Sequence, residues 1–270
     1  MGPVEALALV AIGFAIGTYA TAIGAGGGFL IAPLLLIRYP DADPVAITTA
    51  SLTVVFASAL ASSAVMARER LVDLPVVAAM LVVAVPAALL GGLVTDLVPR
   101  ALFAAGFAVL LGCIGAYLVW RPVAGVAETA GNAWQRTRTD RAGNRYSYRI
   151  PIFPSIVPNA GASFLGALAG IGGGPIGIPI MTRLMHIPHT IATTSMHALI
   201  VAQSGVVVAM HLALSHGGDP GRDVPWLAVG VVLGSPAGRL VRRRLGEGPL
   251  TRLLALGLFF IAVRTAVDVF

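Results

Sequence analysis

Two ten-residue stretches, Gly24–Pro33 (Gly-Ala-Gly-Gly-Gly-Phe-Leu-Ile-Ala-Pro) and Gly170–Pro179 (Gly-Ile-Gly-Gly-Gly-Pro-Ile-Gly-Ile-Pro), each set consecutive glycines inside an apolar run. Glycines there break a helix, and in hydrocarbon the freed N–H and C=O groups must be satisfied by protein, ion or water. A break at matching places in two halves of a chain points to a binding site between them.

The composition places the breaks in a membrane. Of 270 residues, 57% are apolar and 11% charged, the balance of a polytopic membrane protein. The net charge of +6 would suggest nucleic acid for a soluble chain, but here the charges sit in short loops between apolar runs and read as topology signals, with no nucleic-acid partner. Every basic residue is Arg, which excludes lysine-dependent chemistry. Cys113 stands alone, and no His pair has metal spacing with carboxylate partners, so neither metal nor cofactor is expected. Gly172-x-Gly174-x-x-Gly177 matches a dinucleotide fingerprint only formally, without a surrounding βαβ unit.

Apolar runs cover Val4–Ile23, Phe29–Ile37, Val45–Ala67, Leu71–Val94 and Ala101–Trp120, then Ser155–Ile171, Pro175–Met185, Thr190–Leu214, Val224–Leu240 and Leu250–Val269. The expected organisation is a first membrane repeat over 1–120, an Arg-rich cytoplasmic linker over 121–154, mobile and without hydrophobic periodicity, and a second membrane repeat over 155–270. Landmarks beyond the glycines keep the same order: Pro44 to Ser51 parallels Pro188 to Ser195, Asp73-Leu-Pro75 parallels Asp223-Val-Pro225, Pro86 parallels Pro236, and Pro99 parallels Pro249. The fold class is therefore an all-α polytopic membrane protein of two homologous repeats, each a Gly-broken re-entrant or discontinuous helix plus three spanning helices. If the broken segments return to the face they enter, the repeats are inverted and only Arg38, Arg100 and Arg222 lie opposite the other loop arginines. Eight spans with parallel repeats is the alternative, and it spoils that asymmetry.

The helix N-termini after the glycines attract anions. Expected anion-binding positions are Gly26, Gly27, Gly28 and Phe29 in one half and Gly172, Gly173, Gly174 and Pro175 in the other. Hydroxyls join them from the following spans, Thr49 and Ser51 with Thr194 and Ser195. For any single Ser or Thr the bland alternative is a bond to its own helix carbonyl. His197, two residues past Ser195, is the candidate for proton coupling. Asp73 and Asp223 read as helix N-terminal residues.

The Gly24–Pro33 and Gly170–Pro179 stretches, with Thr49-Ala50-Ser51-Leu52 and Thr193-Thr194-Ser195-Met196, resemble the TauE/SafE family of membrane permeases. The likeness covers nearly the whole chain outside the linker, and Ala50 departs from a hydroxyl in the first copy. It implies a multi-pass protein of a bacterial-type inner membrane, not an enzyme, that exports sulfite or a short organosulfonate. The expected mechanism is alternating access, with one repeat rocking against the other. An anion channel and a non-transporting membrane assembly protein are the other readings, and homo-oligomerisation is left open.

Overall fold

The structure, a computed structural model, describes residues 2–23, 27–67, 71–120, 133–141, 143–214, 216, 218–245 and 247–269. In chain order the helices are α1 (Pro3–Ile23), α2 (Gly28–Arg38), α3 (Pro44–Ala67), α4 (Leu74–Thr95) and α5 (Arg100–Trp120). After strands β1 (Trp134–Thr139) and β2 (Arg145–Ile150) come α6 (Ile152–Leu168), α7 (Gly174–Pro179), α8 (His189–Ala213), α9 (Val224–Arg244) and α10 (Glu247–Val269). A π-helical turn, Ile180–Leu184, extends α7. Pro44 opens α3, and Pro75 and Pro225 sit in the first turns of α4 and α9. There a missing N–H costs nothing and the fixed φ favours a helix.

Among the described residues six helices are long and apolar enough to cross a membrane: Pro3–Ile23, Pro44–Ala67, Leu74–Thr95, Arg100–Tyr117, His189–Ala213 and Val224–Arg242. The protein is an integral, multi-pass membrane protein. With 11 residues, α2 extends only about 16 Å at roughly 1.5 Å per residue. It runs back toward where α1 began, for Arg38 at its C-terminal end pairs with Glu5 in the first turn of α1. The outgoing arm is longer than the returning one: α1 continues until the Thr21 hydroxyl meets Ser62, far along α3, at 2.7 Å.

Neighbouring residues give each helix pair its direction. Gly13 abuts Leu227 and Gly230, Gly17 abuts Val231, Gly234 abuts Phe14 and Thr18, and Gly238 abuts Thr18 and Thr21, so α1 and α9 lie parallel with backbones in contact. Small residues at four-residue spacing permit that approach. Asn159 donates to Met80 O, Gly91 abuts Phe164 and Thr95 donates to Leu168 O, so α4 and α6 are parallel as well. Thr49 beside His211 and Phe56 beside Gly205 make α3 and α8 antiparallel. Gly112 beside Ala262 and Gly115 beside Ala255 do the same for α5 and α10.

The segment expected as a mobile linker holds an antiparallel hairpin, in register from Trp134 opposite Ile150 to Thr139 opposite Arg145. Asp140 accepts from the Asn144 backbone N–H and side-chain amide, and Gly143 takes φ 88°, which together close the turn. Trp134, Arg136, Arg138, Tyr146, Tyr148 and Ile150 share the more buried face. Tyr148 and Ile150 join a core cluster with Val76, Ile178, Met181 and Met185. The linker's arginines mask an alternating pattern whose inner face is docked on the bundle.

Candidate functional site

Each described glycine turn delivers a helix through a left-handed residue. Gly27, φ 77°, precedes α2, and Gly173, φ 75°, precedes α7. That conformation is open to glycine without a steric penalty. Gly26 lies outside the described residues. The two breaks meet backbone to backbone: a β-carbon on Gly28 would fall 2.7 Å from Ile171 Cα, 2.8 Å from Gly170 O and 2.6 Å from a methyl of Val55. Val55 also faces Gly172, at 2.7 Å from its β position, so one side chain of α3 separates the breaks laterally. Phe29 is fully buried and its ring lies 6.1 Å from that of Tyr19. Gly174 and Pro175 are buried too. Pro175, at the start of α7, has no N–H to offer a ligand and serves to fix the turn.

Of the four expected hydroxyls, Ser51 reaches the breaks. It donates to Gly170 O at 2.7 Å, and Thr48 and Thr95 bond Leu168 O just before it. Thr49 is bonded to Val45 O at 2.7 Å and to His211 Nδ1 at 2.8 Å. Thr194 is bonded to Thr190 O and Ile191 O, the back-bonding common for helical threonine. Ser195 accepts from the Asp73 backbone N–H at 3.0 Å, at the hairpin end of the bundle. His197 is fully buried, with Nδ1 2.8 Å from Thr193 O and Nε2 without a partner among the described residues. The structure thus gathers Gly28, Ser51, Gly172 and Gly173 around the breaks and leaves Thr49, Thr194, Ser195 and His197 on other contacts.

Two buried carboxylates had been read only as helix starts. Asp73 and Asp223 occupy the N-cap positions of α4 and α9, yet neither side chain caps its own helix. Asp223 takes the Arg38 Nε at 2.5 Å, tying the end of α2 to α9. Asp73 takes Arg136 through both oxygens at 3.1 and 2.7 Å, Arg138 at 2.9 Å and the Tyr148 hydroxyl, tying the hairpin to α4. Burial alone would raise the Asp73 pKa, but the bonds from Arg136, Arg138 and Tyr148 outweigh it and hold the carboxyl down at about 2. Burial, and then the bond to Asp73, push the Tyr148 phenol up. Arg183, on the π-helical turn, stacks over Tyr117 at 4.8 Å. Asp73 and Asp223 thus place paired charge at the starts of α4 and α9, while glycine and neutral polar groups surround the breaks.

The family model for Sulfite exporter TauE/SafE matches residues 9–265 of the chain, both glycine breaks and every span in between. The chain belongs to the TauE/SafE family. It is also similar to the probable membrane transporter protein YunE of Bacillus subtilis (strain 168), with 26% identity over 265 residues, 94% of each chain. No solved structure matches. This TauE/SafE protein is a membrane transporter rather than an enzyme, and its environment is the lipid bilayer. Among the described residues no group of three or more His, Cys, Asp or Glu is placed to hold a metal ion.

Proposed function

We propose that this TauE/SafE protein is a secondary transporter that exports a small anion, sulfite or a short organosulfonate, held between the two glycine breaks with alternating access. The observation that carries the reading is the meeting of Gly28 with Gly170 and Ile171. Broken backbone from both halves converges on one place, where the N–H groups of Gly28 and Phe29 precede the first intrahelical bonds of α2, from Leu30 and Ile31 to Gly27 O. A positively polarised helix end set among neutral donors attracts an anion without a permanent counter-ion that would hold it too tightly for release. Gly27, Gly28, Phe29, Gly172, Gly173 and Gly174 line the site in this reading. Ser51 positions the second break through Gly170 O, while Thr49, Thr194 and Ser195 fix the spans on either side. Sulfite is named on the strength of the family description, and short sulfonates as anions that share its negatively charged sulfur–oxygen group.

The repeats are read as inverted. Exchanging α1 with α6, α3 with α8, α4 with α9 and α5 with α10 turns the α1/α9 pair into the α6/α4 pair and maps the α3/α8 and α5/α10 pairs onto themselves. Arg38 and Arg100 then lie at one end, where Arg100 donates to Ala42 O and Leu36 O, and the hairpin arginines lie at the other. The positive-inside rule puts the hairpin end in the cytoplasm. His197 is proposed as the proton-coupling group, on the ground of its buried Nε2, which has no partner among the described residues.

Uptake into proteoliposomes tests this. Sulfite or a short sulfonate should accumulate against its gradient when a proton gradient is imposed, and Gly27→Leu and Gly173→Leu should abolish the flux. Unchanged flux in both well-folded variants would remove the site. Flux in His197→Ala that still responds to a pH gradient would end the coupling proposal.

A further inference from the structure

The buried hydroxyls expected to hold the anion are already bonded, whereas several other buried polar atoms among the described residues are not, and two of these, Ser58 Oγ and Gln203 Nε2, belong to side chains beside the breaks. Ser58 on α3 is 1% exposed, and its Oγ has no hydrogen-bond partner among the described residues. Most other buried hydroxyls of α3 and α8 either bond a helix carbonyl, as Thr49, Thr194 and Ser204 do, or reach another element, as Ser51 and Ser62 do. The Ser58 Oγ instead lies 4.0 Å from the β position of Gly27, the residue that opens the 11-residue helix α2. It therefore faces the end of α2 where unpaired N–H groups and positive polarisation coincide. On α8, Gln203 is 3% exposed; its Oε1 sits 3.6 Å from the β position of Gly173, and its Nε2 has no partner among the described residues. The antiparallel register that sets Thr49 beside His211 and Phe56 beside Gly205 puts Gln203 at the level of Ser58. Among the described residues each central span thus presents an unsatisfied buried polar group beside the glycine that starts a returning helix.

A buried donor without a partner costs the fold stability, and its persistence calls for an occupant. Building on the anion-transport reading, we infer that Ser58 Oγ and Gln203 Nε2 are the side-chain donors that bind the transported oxyanion. Both are neutral. They contribute two hydrogen bonds beside the first-turn amides of α2 and demand no fixed cation, which suits a small oxyanion that must leave again. A side chain with one hydroxyl and a side chain with an NH2 group also favour a guest with several oxygens over a spherical halide, since the donors approach from different helices.

The test uses the purified full-length protein with sulfite as the probe, its affinity read from ligand-induced thermal shift and checked by calorimetry. Ser58→Ala and Gln203→Met should each weaken sulfite binding by about tenfold, the size of one charge-assisted hydrogen bond. Each should leave the ligand-free melting temperature unchanged or higher, because each removes a polar atom that the protein itself does not satisfy. Ser204→Ala, whose hydroxyl bonds Ile200 O on the same helix, should bind sulfite as the parent does. Affinity within twofold of the parent in both Ser58→Ala and Gln203→Met would overturn the assignment while leaving the transport reading standing. A fall in ligand-free stability parallel to the fall in affinity would overturn it too, by showing that the two groups serve the fold. A parent protein that binds neither sulfite nor short sulfonates would sink the transport reading, and this assignment with it.

Discussion

Replacing Asp73 with Asn should release the β-hairpin from the bundle. The carboxylate side chain is 1% exposed and gathers Arg136 and Arg138, whose side chains are 21% and 27% exposed, so solvent screens these pairs only partly. Docking lowers the carboxyl pKa from its ordinary 3.8 to about 2, a drop equivalent to roughly 2 kcal/mol of preference for the docked hairpin. Because the docked value is the lower one, this stabilisation is complete above about pH 4 and disappears as pH falls through about 2. Neutral Asn forfeits it at every pH, and the undocked fraction should rise about thirtyfold. Hydrogen exchange at neutral pH, read on peptides covering Trp134–Thr139 and Arg145–Ile150, measures that fraction, with peptides from α3 and α8 as internal controls. Trp134 emission, with Trp120 and Trp226 changed to Phe, gives the pH dependence: parent protein should undock between about pH 4 and 2, and Asp73→Asn should show no transition there. Equal protection in parent and variant would refute the reasoning, since the hairpin would then be held by Tyr148 and Ile150 packing alone.

Three further outcomes follow from named contacts. Gly28→Ala should lower thermal stability by about 1–3 kcal/mol and abolish flux, because the added carbon meets the backbone of Gly170 and Ile171; a melting curve like that of the parent would show that the breaks can separate freely. Arg38→Ala strands the fully buried Asp223 without its guanidinium and should cost about 3 kcal/mol, the low end for a buried pair broken on one side because Arg38 is partly exposed. The double variant Arg38→Ala with Asp223→Asn should regain part of that loss in a denaturation experiment. Gly234→Val should separate α1 from α9 at Phe14 and Thr18 and yield protein that fails to fold or melts well below the parent, while Gly106→Ala, at a glycine with open space around it, should melt like the parent.

How much of this was legible in the sequence depends on range. The glycine breaks, the prolines that start α3, α4 and α9, and the apolar runs are local signals, and the helices begin and end within a few residues of them. The packing faces of α1 and α9 left a mark that the sequence reading did not use, since Gly13 and Gly17, and Gly230, Gly234 and Gly238, repeat at four-residue spacing; in a chain with 32 glycines the pattern is easily lost, and it does not say which helix meets which. The hairpin escaped because its arginines read as solvated charge, although Trp134, Arg136 and Arg138 alternate with polar residues and Asp140 and Asn144 frame a turn. Partnerships were not legible. Nothing near Asp223 in sequence announces that its arginine comes from 185 residues away. Nor does the order of residues distinguish a serine that bonds its own helix from one, like Ser58, that does not.

The glycine seam along α1 and α9 bears on what can move. A span of the second half lies backbone to backbone with the leading arm of the first, and α4 with α6 reciprocates the embrace. Moving α1 relative to α9, or α4 relative to α6, would pry open these glycine-lined backbone contacts. In the alternating-access reading proposed above, the expected mechanical parts are therefore chimeras, α1 with α9 and α6 with α4, with sliding left to the seams between those composite blocks.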